Sequence, residues 1–92
     1  MVQQFDEDNT PLEFPCRFPI KAMGRAEADV ESVVRAVLTE HLERPEQVEL
    51  RISESRNGRF ISVTATITAH SRPQLDAIYR SLHAEEAILM TL

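Results

Sequence analysis

The chain has 92 residues, 42% apolar and 27% charged, with two glycines, five prolines and a single cysteine. That length closes one core and excludes a multidomain layout, while the composition argues against a collagenous or wholly disordered chain. The lone Cys16 excludes an internal disulfide framework and any cysteine-based zinc cluster.

The formal net charge is −5, from fifteen acids and ten bases, and four of the acids (Asp6, Glu7, Asp8 and Glu13) fall in the first thirteen residues. Residues 1–13 therefore read as an acidic flexible N-terminal arm, with Phe5 and Leu12 as its possible anchors, and residues 14–92 as a single, nearly neutral domain. The chain shows no basic start followed by an apolar stretch, and no apolar run approaches the ~20 residues of a membrane helix. The expectation is a cytoplasmic protein without a membrane partner.

In chain order, a first strand is expected near Phe18 to Met23. Pro19 cannot donate to a ladder, which would put it at a bulge or at the strand entry and leave Ile20 to Gly24 as the well-paired part. From Glu27 to Glu43 the apolar positions Val30, Val33, Val34, Val37, Leu38 and Leu42 follow the spacing of an amphipathic helix. Glu31 with Arg35 and Glu40 with Arg44 are i, i+4 pairs on its polar side, Glu27, Asp29 and Glu31 suit its positive end, and Pro45 closes it.

Asn57-Gly58, flanked by alternating segments, predicts a hairpin with a two-residue turn and positive φ at both positions. Pairing Arg56 with Arg59 sets Ile52 opposite Val63, Leu50 opposite Ala65 and Val48 opposite Ile67, so the apolar residues share one face. A second helix opens at Ser71 as N-cap, with Gln74 completing a capping box, Pro73 in the first turn, and Leu75, Ile78, Tyr79 and Leu82 as its apolar face. A last strand is expected from Ala87 to Leu92, with Ile88, Met90 and Leu92 alternating. The order βαββαβ predicts an α+β, ferredoxin-like sandwich: a four-stranded antiparallel sheet in the order 4-1-3-2 with both helices on one face.

No cofactor or catalytic signature is present. His41, His70 and His83 contain no i, i+4 pair, which argues against a metal site and leaves His41 as a packing or helix-end residue. Cys16 lies beside Arg17 but has no recognisable base, so nucleophilic catalysis is not expected. Two surfaces remain as candidates. Lys21, Gly24 and Arg25 sit where the first strand meets the first helix, a corner able to hold a small anionic effector or, as the enzymatic alternative, a small anionic substrate. The second is the sheet face without helices, where Arg51, Phe60, Ser62, Thr64 and Thr66 are joined by Arg17, Lys21 and Met23 as a surface for a protein partner or a second copy. A single aromatic and the lack of a basic excess speak against nucleic acid.

Leu12-Glu13-Phe14-Pro15, then Phe18, Lys21, Met23 and Gly24, resemble the opening of the YbeD-like family of small bacterial proteins. The stretch Ser55 to Thr64 resembles its hairpin, and Tyr79, Leu82, Met90 and Leu92 fall at matching places downstream, so the resemblance covers about residues 12–92. Cys16 and Pro19 depart from the pattern. The resemblance implies a ferredoxin-like fold akin to ACT regulatory domains, no established catalytic residue, and a proposed link to lipoate metabolism. Together, residues and resemblance lead to the expectation of a non-catalytic regulatory or adaptor module.

Overall fold

A computed structural model describes residues 12–92; the expected arm lies almost wholly outside them, and with it Phe5. The elements run β1 (Cys16–Arg25), α1 (Val30–His41), β2 (Glu49–Glu54), β3 (Phe60–Ala69), α2 (Arg72–His83) and β4 (Met90–Thr91), with 3-10 turns at Ala26–Ala28 and Pro45–Gln47. The strands form one antiparallel sheet in the order β2-β3-β1-β4. Read from the other edge, this is the predicted 4-1-3-2.

Both helices cover one side of that sheet. Val30, Val34, Val37 and Leu38 of α1 and Leu75, Ile78 and Leu82 of α2 are buried against Ile20, Ala22, Val63, Ala65 and Ile67. Burial of this apolar stripe is the main stabilising term, at ~25 cal/mol for each Å² removed from water. Leu12 and Phe14 pack on the rim of the same cluster.

The predicted first helix is too long at both ends. Asp29 takes φ 57 and ψ 52, the left-handed region, so the chain breaks after a 3-10 turn before α1 begins at Val30. Asp is among the residues that tolerate this region, and the break lets the chain reverse from the end of the central strand β1 onto the sheet face. Leu42 is already extended, and Arg44 is non-helical. Glu40 and Arg44 therefore do not pair, whereas the Glu31–Arg35 pair forms at 2.9 Å.

The hairpin register is the predicted one, with Ile52 opposite Val63 and Leu50 opposite Ala65, but the turn differs. Only Gly58 has positive φ, at 75°, and Asn57 does not. Ser55 and Phe60 close a four-residue loop: the Ser55 carbonyl accepts from Gly58 N–H at 2.9 Å and Ser55 N–H donates to the Phe60 carbonyl at 2.9 Å. Side chains complete it, since Phe60 N–H donates to Ser55 Oγ and Arg59 N–H to Asn57 Oδ1. These acceptors satisfy the Arg59 and Phe60 donors locally, at the turn itself.

Pro19 sits at neither a bulge nor an entry. It pairs in continuous register with Thr66. Lys21 exchanges both backbone bonds with Leu92 on the β4 side; by strand alternation the nitrogen of Pro19 faces that same side, two residues beyond the last β4 pair. The missing N–H thus falls where, among the described residues, no strand asks for it.

In β4 the alternation is shifted. Ile88 is buried at 8% exposure, but Met90 and Leu92 are 52% and 68% exposed. Met90 stands opposite Met23 and Leu92 opposite Lys21, so both project to the open face instead of the core.

Candidate functional site

Strand parity builds the open face. Odd-numbered residues of β1 and β2 and even-numbered residues of β3 point away from the helices. The register arranges them in cross-strand rows: Arg17 with Thr68; Glu49, Thr66 and Pro19; Arg51, Thr64, Lys21 and Leu92; Ser53, Ser62, Met23 and Met90; and Phe60 with Arg25. All five residues expected there, Arg51, Phe60, Ser62, Thr64 and Thr66, lie on it.

Few of these groups are engaged with one another. Arg17 donates to Thr68 Oγ1 at 3.2 Å and pairs with Glu49 at 3.3 Å. The Arg25 guanidinium lies 5.9 Å from the centre of the Phe60 ring, a cation–π arrangement. Among the described residues, Lys21 and Arg51 form no ion pair.

The second candidate surface does not converge. Gly24 lies within β1 instead of at a corner, is buried, and faces the helices, while Lys21 and Arg25 face the open side. A Cβ at Gly24 would collide with the Ala87 carbonyl and approach Val30 Cγ2 at 2.7 Å. Close packing therefore explains the glycine. The backbone donor that follows Arg25, Ala26 N–H, is bonded to the Arg59 carbonyl at 2.8 Å, and α1 opens at an aspartate with no side-chain cap. This arrangement does not form an anion cradle.

A groove that the sequence reading did not anticipate, with a volume of about 600 Å³, lies between the end of α1 and the start of α2, lined among others by His41, Arg44, Thr68, His70, Ser71 and Gln74. Gln74 is committed there to structure: its N–H donates to Ser71 Oγ, its Oε1 accepts from His70 N–H, and its Nε2 donates to the His41 carbonyl. His41 itself is hydrogen-bonded through Nε2 to Ser81 Oγ at 2.9 Å, tying the two helices. Cys16 is a half-buried free thiol on the helix side of β1. Among the described residues, no three His, Cys, Asp or Glu side chains cluster as metal ligands, and no helix is long and apolar enough to cross a membrane.

Sequence reasoning missed Met90 and Leu92 as members of the open face. The run Ala87 to Leu92 has apolar residues at both parities, so only its pairing with Lys21 and Met23 decides the side. The available signal was the count from Leu92 back to Ile88, which one turn displaces: Ile88 N–H bonds the Glu85 carbonyl, and strand pairing begins at Leu89.

The topology and its uncovered face define a small ferredoxin-like α+β domain. A solved structure shares the fold: the solution structure of protein HP0495 from H. pylori matches with a TM-score of 0.68 over 100% of this chain and 97% of that one, at 14% identity. The family described as "Protein of unknown function (DUF493)" matches residues 9–92. Among relatives, a UPF0250 protein of Chromobacterium violaceum is 39% identical over 95% of this chain and 98% of its own. Another from Ectopseudomonas mendocina is 40% identical over the same shares. The chain belongs to this DUF493/UPF0250 family, the same family as the YbeD-like proteins.

Proposed function

We propose that the protein is a non-catalytic regulatory or adaptor module that binds a protein partner through its open sheet face. The observation that carries this reading is the register of Arg51, Thr64 and Lys21 in one uncovered row, beside the Met23–Ser62–Ser53 row. Hydrogen-bonding groups and unpaired cations held on a rigid sheet are recognition chemistry, and among the described residues no nucleophile with an adjacent base accompanies them. An effector or substrate at Lys21, Gly24 and Arg25 is disfavoured by the opposite facing of Gly24. The lipoate link rests on the resemblance alone.

The test is affinity capture with the full chain as bait, comparing the native protein with Arg51→Glu and Thr64→Arg, while circular dichroism monitors helix content. The expected result is a reproducible partner whose capture both substitutions abolish with helix content unchanged. Capture that tolerates both substitutions would show that the open face is the wrong surface.

A further inference from the structure

Resting on that reading, we infer that the partner segment received by the sheet face is acidic and amphipathic, setting a carboxylate over Lys21, Thr64 and Arg51 and an apolar side chain over Met23 and Met90. Charge is divided between the two sides of the sheet. Residues 14–92 contain eleven acids and ten bases. Among the described strand residues, four of those bases, Arg17, Lys21, Arg25 and Arg51, stand on the open face with one acid, Glu49. Glu49 is already paired with Arg17. A chain of net charge −5 thus presents a locally positive surface, and the complement of such a surface is negative.

The geometry narrows the complement further. Lys21 and Arg51 flank Thr64, two strand spacings or about 10 Å apart at the backbone. Two long, flexible cationic side chains can close from both sides on one carboxylate across that span, with the Thr64 hydroxyl beneath as a further donor. In the neighbouring row Met23 faces Met90, which is 52% exposed, and Leu92 beside Lys21 is 68% exposed. Unbranched thioethers adapt to varied apolar partners, so an apolar side chain next to the carboxylate has a place to bury. Single-stranded RNA is the less fitting occupant. It is read by stacking on several aromatics, and among the described residues the face carries only Phe60, whose ring already bears the Arg25 guanidinium.

The experiment is fluorescence anisotropy of the full chain with a labelled peptide repeating Glu-Leu-Ser, compared with Lys-Leu-Ser and Glu-Ser-Ser repeats and an oligouridine RNA. The expected result is saturable binding of the Glu-Leu-Ser peptide alone. The double substitution Lys21→Gln with Arg51→Gln weakens it roughly tenfold or more and flattens its salt dependence. Met23→Ser weakens it while leaving the salt dependence as it was. The inference is overturned if the Glu-Leu-Ser peptide does not bind, if the lysine peptide binds equally well, or if the RNA binds more tightly. It is equally overturned if the native chain self-associates and the double substitution dissolves that assembly, because a second copy is then the occupant. The two levels separate cleanly. Failure of the peptide with partner capture still lost in Arg51→Glu and Thr64→Arg removes only the acidic assignment, whereas capture insensitive to both removes the binding face itself.

Discussion

Gly24 and Tyr79 illustrate how single residues are constrained by what lies across from them. At Gly24 the Ala87 carbonyl occupies the place a Cβ would need, and Val30 closes the other side. Gly24→Ala is therefore expected to destabilise the fold by about 1–3 kcal/mol, as overpacking of a close contact does; urea unfolding monitored by circular dichroism measures it. The Tyr79 hydroxyl donates to the Leu92 carbonyl at 3.1 Å, linking α2 to the end of β4, and burial raises its pKa above the ordinary value of 10.0. The folded state holds that proton more tightly than the unfolded chain does. The contribution is thus fully present below the unfolded pKa and is lost as pH rises through the folded one. Stability should fall above about pH 10 more steeply in the native protein than in Tyr79→Phe, as thermal melts across that range would register.

At the level of elements, local side-chain chemistry decided how the connections close. The helix α2 begins where its capping residue stands, with Ser71 Oγ accepting from Gln74 N–H at 3.1 Å. Ser71→Ala should lower stability by about 1 kcal/mol, measurable as a shift in the urea midpoint. The reciprocal half of the box is displaced by one residue, because Gln74 Oε1 accepts from His70 N–H and its amide reaches the end of α1. In the hairpin, Ser55 and Asn57 supply acceptors that make a four-residue loop workable while keeping the predicted register. Strand β4 is the element least determined by its own residues. Its two paired positions, Met90 and Thr91, owe their side of the sheet to β1.

Across the whole molecule, helices on one side and cations on the other give the two faces of the sheet different work. The core depends on α1 and α2, while Lys21 and Arg51 face outward. Substituting both by Glu should therefore change folding stability by no more than about 0.5 kcal/mol while altering recognition. A loss of stability well beyond that, seen in the same urea titration, would mark the two cations as structural. Much of this architecture was legible in the chain because it is written in local periods: the stripes of α1 and α2, the alternation around Asn57-Gly58 and the cap at Ser71. Those patterns suffice for the fold and strand order, since an apolar face of each element must meet another. The open face was legible for the same reason, as the polar parity of β2 and β3 follows from their register. The sequence could not reveal that Pro19 turns its nitrogen away from β3, that Gly24 meets Ala87, or that Met90 and Leu92 face outward. Each of those is a contact between residues distant in the chain, set only when β1, the loop before β4 and the helices pack together. Composition and spacing determined which faces would be apolar and that Arg17, Lys21 and Arg51 would share the polar one; the tertiary structure alone decided that β4 adds Met90 and Leu92 to it, because their side is set by pairing with β1 and not by their own alternation.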